Sequence, residues 1–200
     1  AIFTNGNPAL PRSSNTFGTD IRLATSHFMG RSRNLALSAY GLKSKNEGIS
    51  SRDSSYGIAA QYPNDKYDAQ FVWRDVPENF KPGLGFVQRS NVRLLRIGAS
   101  YNPRPKNFLG IQQMFHDVYY TRFTRRDTGQ LESSELYIAV LPDWHFKSGD
   151  ALHALFDVIR TYERLFTKFT IFPGVVLPPG EYVTTRLRYN LSSAQKRKLQ

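Results

Sequence analysis

Apolar and polar residues alternate along several stretches of this sequence, and this period of two constrains the fold more than any other feature. In the clearest case, residues 66–76, one set of alternate positions holds Tyr67, Ala69, Phe71 and Trp73. The intervening positions are polar and include Asp68, Gln70 and Arg74. Because successive side chains of a β-strand point to opposite faces of a sheet, the pattern predicts strands with one apolar and one polar face.

Nine segments are predicted as strands, at residues 17–28, 33–43, 54–62, 66–76, 92–102, 108–122, 131–141, 150–162 and 181–192. Pro63, Asn64 and Asp65 form a compact turn, so the third and fourth segments are predicted to pair as a hairpin. Globular strands usually have about 5–6 residues, whereas a tilted membrane strand takes about 9–11. The longer segments found here favour an all-β antiparallel meander that is part of a transmembrane β-barrel. A soluble β-sandwich, whose strands also alternate, is the alternative.

The two faces of these strands carry different candidate residues. Aromatic residues lie at or near strand ends on the apolar face, as in the aromatic girdle at a membrane interface; they are Tyr56, Tyr62, Tyr67, Trp73 and Tyr101. The polar face is predicted to line a lumen with Gln70, Arg74, Arg96, Arg186 and Arg188. An arginine facing lipid at the bilayer midplane would cost about 2–4 kcal/mol, so we expect these arginines to face inward. A cationic lumen favours anionic solutes.

The charge balance agrees with this interpretation. The chain has 27 Lys and Arg against 16 Asp and Glu, a formal net charge of +11. These cations are spread along the sequence, apart from the terminal run Lys196, Arg197 and Lys198. Since a nucleic-acid interface usually concentrates its cations in one patch or stripe, no nucleic-acid partner is predicted.

The sequence also limits the chemistry of the chain. It has no cysteine, which excludes disulfides, thiolate zinc sites and cysteine nucleophiles. It contains no G-x-S-x-G, H-E-x-x-H or phosphate-cradling G-x-x-x-x-G-K-[ST] motif. We therefore predict no catalytic residues, no cofactor and no metal.

Two weaker chemical hypotheses remain open. Asp143 and His145 would share a strand face and could bind a metal with one further ligand, although a polar pair on a lumen or loop is the favoured interpretation. A hydrolase would need two acids about 5–10 Å apart. The candidate pairs are Glu132 with Glu135 and Asp150 with Asp157.

Residues 150–166 fit the strand pattern poorly. Asp150 is a plausible helix N-cap, and the apolar residues that follow have helical spacing: Leu152, Leu155, Phe156, Ile159, Tyr162 and Phe166. A strand would leave Leu155 and Ile159 among polar neighbours. Periodicity alone therefore favours a helix in this segment.

Several loop motifs resemble a bacterial family of unknown function, in which a domain akin to carbohydrate-binding family nine precedes a predicted outer-membrane β-barrel. The similar segments span nearly the whole chain in the family's order, at residues 62–65, 78–89, 101–105, 163–166 and 173–182. The resemblance implies strand, not helix, at 150–162, and we adopt that prediction. It also implies that the chain is a single β-barrel segment, a middle section incomplete at both ends.

The leading hypothesis is an outer-membrane protein of a Gram-negative bacterium, in contact with outer-membrane lipid. It would act as a pore, an uptake component or a surface-display component with a cationic polar lumen, handling an extracellular glycan or an anionic solute. The alternatives are a soluble β-rich module that binds glycans through stacked Tyr and Trp and a hydrolase working through the carboxylate pairs.

Overall fold

The computed structural model describes residues 1–6, 14–141 and 143–194. The regular elements in these residues are β-strands, apart from one short 3₁₀ turn at Phe28–Gly30. The strands are β1 (Ile2–Asn5), β2 (Ser14–Thr25), β3 (Leu35–Asn46), β4 (Ser54–Pro63), β5 (Tyr67–Val76), β6 (Val92–Tyr101), β7 (Ile111–Arg125), β8 (Leu131–Leu141), β9 (Asp143–Phe146), β10 (Ala151–Leu165), β11 (Phe169–Phe172), β12 (Val175–Leu177) and β13 (Gly180–Ser192).

Eleven of these strands form one sheet, in which neighbours in the chain are neighbours in the sheet. The strand order is β1-β2-β3-β4-β5-β6-β7-β8-β10-β13, and β9 pairs with both β7 and β10. The remaining two strands, β11 and β12, form a separate antiparallel hairpin. The predicted all-β antiparallel meander is therefore confirmed.

The nine predicted segments correspond to the nine long strands β2 to β8, β10 and β13. The helical spacing of residues 150–166 was misleading, because β10 is a strand paired with β8 on one side and β13 on the other. Its register against β13 shifts between His153 and Asp157. Four steps along β10, from His153 to Asp157, match two along β13, from Asn190 to Arg188, so the alternation of β10 is kept across this irregularity. The spacing misleads because apolar residues lie on both faces of β10: Ile159 is buried on the face of Asp157, and Phe156 is exposed on the other.

The contacts of the chain define two compact units. Of the described residues, unit 1 comprises 1–6, 14–61, 71–96 and 122–131, and unit 2 comprises 62–70, 97–121, 132–141 and 143–194.

In unit 1 the usual distribution of side chains is reversed. Apolar residues on one face of β2, β3 and β4 are exposed, with Leu23 61 % and Ile58 51 % accessible. Small polar residues on the opposite face of the same strands are buried, with Ser44 0 % and Ser55 2 % accessible. A water-soluble sheet buries its apolar face, so the burial of the two faces here is the reverse of that expected for such a sheet.

Unit 2 repeats the reversal. Exposed apolar side chains alternate along β6, β7 and β8 with buried polar ones, as in the pairs Ile97 with Ser100 and Val140 with Ser133. Asp157 on β10 is fully buried. In the β-sandwich alternative the apolar faces would be covered by a second sheet, whereas in both units these apolar side chains are accessible.

No helix among residues 1–6, 14–141 and 143–194 has the length and apolar character needed to cross a bilayer.

Candidate functional site

A cavity of about 510 Å³ lies in unit 1 on the polar face of the sheet. Strands β3 to β7 form its floor, and the loop of residues 77–91 contributes part of its wall. The polar side chains along its lining are Tyr40, Ser55, Arg74, Gln88, Arg89 and Arg96. Its volume falls within the range of about 300–1,000 Å³ that is typical of small-molecule sites.

The loop of residues 77–91 is held against the sheet by hydrogen bonds at its beginning. The amide of Lys81 donates to the Ser44 hydroxyl at 2.9 Å, and the side chain of Asn46 donates to the Lys81 carbonyl at 3.0 Å. The Asn79 side chain donates to the Ser51 carbonyl at 2.9 Å. These hydrogen bonds, one of them to the buried Ser44 hydroxyl, fix the position of a loop that has no regular ladder of its own.

A small apolar cluster also fixes the loop. Phe80 is 5 % accessible, and Val92 and Leu94 at the start of β6 are similarly buried. Further along the same loop, Phe86 is 90 % accessible and lines the cavity. The loop therefore has a packed beginning and a second part that presents an apolar ring beside the cavity.

Gly57 shapes the cavity floor. A Cβ atom at this position would lie 2.7 Å from Cε1 of Tyr40, 2.9 Å from the Trp73 carbonyl oxygen and 3.1 Å from Cγ of Arg74. The absence of a side chain on β4 thus allows the Tyr40 ring and the Arg74 stem to lie directly against the backbone. Both side chains border the cavity.

The cavity is lined by three arginines and, within the part of the chain that the structure describes, by no acidic residue. The Arg89 guanidinium lies 4.4 Å from the centre of the Phe123 ring, a cation–π contact. Four carboxylates of unit 1 pair with cations that do not line the cavity. These pairs are Asp53 with Lys43, Asp75 with Arg93 and Arg126, Glu78 with Arg52, and Asp127 with Arg125.

Asp75 is the most buried of these acids, with no accessible surface. Its Oδ2 accepts a hydrogen bond from Arg93 Nε at 3.0 Å. Its Oδ1 lies 2.6 Å from Nε of Arg126, in an alignment that makes this contact an ion pair and not a hydrogen bond. The carboxylate is thus neutralised by two guanidiniums.

A pocket on the polar face of unit 2 is lined by Asp65, Asp68 and Asp117 together with neutral side chains, and no Lys or Arg of the described residues lines it. Asp65 lies in the turn after β4, where Arg104 donates to its two oxygens at 2.9 and 2.7 Å. These hydrogen bonds are the largest cause that lowers the pKa of the Asp65 carboxyl.

The residues predicted to line a lumen fall into three groups. Arg74 and Arg96 are brought together at the cavity of unit 1. Gln70 lies beside Gly98 and Tyr119 in unit 2. Arg188 on β13 donates to the buried Asp157 at 2.8 Å, and Arg186 is exposed on the same strand.

The predicted interface aromatics pair within their units. Tyr56 and Trp73 have ring centres 5.6 Å apart in unit 1. In unit 2, Tyr67 stacks on Tyr101 at 5.2 Å, and Lys66 lies over both rings. Tyr62 is half-buried at the end of β4. Exposed paired rings with a nearby cation are the chemistry found at membrane interfaces.

Residues of the two weaker chemical hypotheses, the metal site and the hydrolase, have other contacts in the structure. Asp150 accepts hydrogen bonds from the Ser148 hydroxyl and the Ala194 amide, while Asp157 is paired with Arg188. The His145 ring packs on Phe115 at 4.9 Å. In residues 1–6, 14–141 and 143–194, no group of three or more His, Asp or Glu is placed to hold a metal ion.

Sequence reasoning missed Arg89, Phe86 and the ion pairs of Asp75. Arg89 and Phe86 lie in a loop rich in Pro and Gly, where a period of two does not indicate the direction in which a side chain points. The only available signal was the density of Pro and Gly itself, since structured long loops often carry function.

No family model matches the chain, no curated protein is significantly similar to it, and no solved structure matches its fold. The resemblance to the family of unknown function stays a prediction.

Proposed function

We propose that this chain is part of an outer-membrane β-barrel whose polar face lines a lumen, and that the protein acts as a pore or an uptake component. The single observation that carries the proposal is the reversed burial of the long strands. Exposed Leu23, Leu37 and Ile58 alternate in these strands with buried polar residues such as Ser44 and Ser55.

Exposure of large apolar side chains to water is energetically unfavourable. Leaving several large apolar side chains in water forgoes about 1.5–3 kcal/mol for each, which a soluble fold recovers by burying them. In a lipid bilayer the same side chains are in their preferred environment, and the polar side chains opposite them remain hydrated in a lumen. Strands of 10 to 15 residues are long enough for a tilted crossing.

The charges support a preference for anions at one part of this lumen. Arg74, Arg89 and Arg96 border one cavity, where the field of three guanidiniums attracts negative solutes. The pocket of unit 2 adds acidic groups, so the proposed lumen is cationic at the unit 1 cavity and not along its whole polar face.

The absence of cysteine from this chain gives a direct test. We expect a nitroxide attached to Ile58→Cys or Ala60→Cys, in the full-length protein in liposomes, to be more accessible to oxygen than to a water-soluble nickel complex. The matched labels at Ala59→Cys and Gln61→Cys, on the opposite face of β4, should show the reverse preference. Higher accessibility to oxygen than to the nickel complex at every second position supports the proposal.

Two results would overturn it. One is a nickel accessibility that is high at all four positions, which would mean that both faces of β4 are in water. The other is recovery of the full-length protein in the soluble fraction of cells without detergent.

The second candidate is a soluble module that binds glycans. The observation that favours it is the pair of stacked rings Tyr67 and Tyr101, because exposed parallel rings are suitable surfaces for sugar rings. A Tyr101→Ala variant that loses glycan binding in detergent-free solution would favour this candidate over the barrel.

A further inference from the structure

We propose that Lys66, together with the stacked rings of Tyr67, Tyr101 and His116, binds the phosphate headgroup of an anionic phospholipid at one end of the strands of unit 2. This inference deepens the proposed function and rests on it, because the apolar face that carries these rings must lie in a bilayer for a phospholipid to reach it. It names the lipid class that this surface selects and the residues that select it.

Three aromatic rings form a continuous stack across neighbouring strands of unit 2. Tyr67 begins β5, Tyr101 ends β6 and His116 lies on β7. The ring centres of Tyr67 and Tyr101 are 5.2 Å apart, and those of Tyr101 and His116 are 5.8 Å apart, with interplanar angles of 23° and 29°. The sequence neighbours of these residues line the pocket on the polar face, so the three rings belong to the apolar face.

The ammonium group of Lys66 lies over two of these rings. It is 5.3 Å from the centre of the Tyr67 ring and 5.9 Å from the centre of the Tyr101 ring. The amide of Asn102 donates to the Lys66 carbonyl at 2.8 Å, which fixes the backbone just before β5. Among the described residues the ammonium makes these ring contacts and no ion pair, and the side chain is exposed. It is therefore available to an anion from outside the chain.

A pocket of about 280 Å³ beside the rings provides space for a headgroup. Lys66 and Tyr101 line it, together with Asp65 and the segment that follows β6. Arg104 donates to both oxygens of Asp65, so Lys66 carries the excess charge of the lining. The side-chain oxygen of Asn102 in the pocket wall is buried and makes no hydrogen bond to a described residue. A headgroup hydroxyl can satisfy this acceptor.

The apolar face continues from the rings and suits the acyl chains of the same lipid. Ile97 on β6 and Val118 on β7 have the same phase as Tyr101 and His116, and they are 46 % and 42 % accessible. A cation over aromatic rings beside an apolar face matches a molecule with its phosphate at the membrane interface and its chains in the bilayer. A free phosphate would use the cation alone, and a soluble glycan would use the rings alone.

The experiment measures the apparent dissociation constants of three probes for the full-length protein in a non-ionic detergent, by native mass spectrometry. Phosphatidylglycerol has both the phosphate and the chains, diacylglycerol lacks the phosphate and glycerol phosphate lacks the chains. We expect phosphatidylglycerol to bind at least about tenfold more tightly than either of the other probes, because one charge-assisted hydrogen bond corresponds to about this factor.

Variants assign the binding to this surface. We expect Lys66→Gln to weaken phosphatidylglycerol by about tenfold without changing the thermal midpoint, because this side chain is exposed. The control Lys168→Gln makes the same change in net charge at an exposed position after β10 that does not line the pocket, and should leave binding within about twofold. Tyr101→Ala removes the central ring of the stack and should weaken phosphatidylglycerol several-fold.

Equal affinity for phosphatidylglycerol and diacylglycerol would overturn the inference, as would equal affinity of the wild type and Lys66→Gln. Glycerol phosphate binding as tightly as phosphatidylglycerol would also overturn it, since the site would then take a free phosphate and not a lipid. These results are separate from the nitroxide test. A chain with alternating lipid accessibility but no preference for phosphatidylglycerol contradicts the headgroup site alone.

Discussion

Unit 1 and unit 2 have the same kind of sheet but differ in the charged residues that line a pocket on the polar face of each. The cavity of unit 1 is lined by three arginines, whereas the pocket of unit 2 is lined by Asp65, Asp68 and Asp117. In unit 1 the carboxylate of Asp75 is buried and paired with two arginines, and in unit 2 the buried Asp157 contacts one.

The comparison shows that net charge alone is a poor guide to local field. The chain's formal charge of +11 predicts a positive polar face everywhere. Whether a region is positive depends on which of its charges are neutralised by neighbours. Four carboxylates of unit 1 pair with cations that do not line its cavity, whereas three carboxylates line the pocket of unit 2, and one of them, Asp65, pairs with Arg104.

The largest expected difference concerns the two buried acids. We predict that Asp75→Asn lowers the free energy of unfolding by about 2–4 kcal/mol, because it leaves two guanidiniums without their buried partner. The loss is smaller than for a fully buried pair, because Arg93 is exposed to solvent. Asp157→Asn should cost about half as much, since its one cation partner among the described residues, Arg188, is 55 % exposed. Urea unfolding of the detergent-solubilised protein measures both.

Asp127→Asn is the control for the loss of one negative charge, because its pair with Arg125 is partly exposed. It should change the unfolding midpoint less than either buried variant. Equal losses for Asp75→Asn and Asp157→Asn would contradict the comparison, since the second arginine at Asp75 would then add nothing.

The next difference concerns a glycine in each unit. A Cβ at Gly57 would lie 2.9 Å from a backbone oxygen of β5, which cannot move without disturbing the sheet. At Gly98 the obstacles are side chains and not backbone, the ring of Tyr119 at 2.3 Å and Gln70 at 3.1 Å. We predict that Gly57→Ala destabilises by about 1–3 kcal/mol and Gly98→Ala by less.

Gly41→Ala is the matched control, because a Cβ there would meet nothing within 4 Å. It should leave stability unchanged or raise it slightly, as alanine reduces the freedom of the unfolded chain. If Gly98→Ala proves the more harmful variant, the Tyr119 ring is fixed more firmly than the backbone of β5.

Most of the fold could be predicted from the sequence because the period of two is a local property. Each long strand, such as β5, has one apolar and one polar side, and its phase can be found without knowledge of its neighbours. The segment that became β10 was ambiguous for a local reason as well. Apolar residues lie on both of its faces, with Ile159 buried and Phe156 exposed, and only pairing with β8 and β13 resolves the ambiguity.

The site was predictable only where it lies on strands. Arg74 and Arg96 were assigned to the polar face from their phase, and both border the cavity. Their meeting with Arg89 depends on the path of the loop at residues 77–91, which is fixed by contacts from Ser44, Asn46 and Ser51 far away in sequence. Such non-local contacts leave no periodic signal.

The smallest expected effect concerns two exposed loop pairs, Glu78 with Arg52 in unit 1 and Asp65 with Arg104 in unit 2. In each, the hydrogen bond from arginine is the largest cause that lowers the carboxyl pKa below its ordinary value. A lowered folded-state pKa means that the pair's contribution to stability is present above the unfolded pKa. The contribution is lost as the pH falls through the folded pKa.

We therefore expect Glu78→Gln and Asp65→Asn to lower the urea midpoint slightly at neutral pH and not at all at a pH below both lowered pKa values. The test compares each variant with the wild type at both pH values, because the wild type alone titrates many carboxyls. Salt should reduce the neutral-pH difference, since both pairs are exposed. A difference that persists unchanged in acid would mean that the lost contribution is packing of the side chain and not its charge.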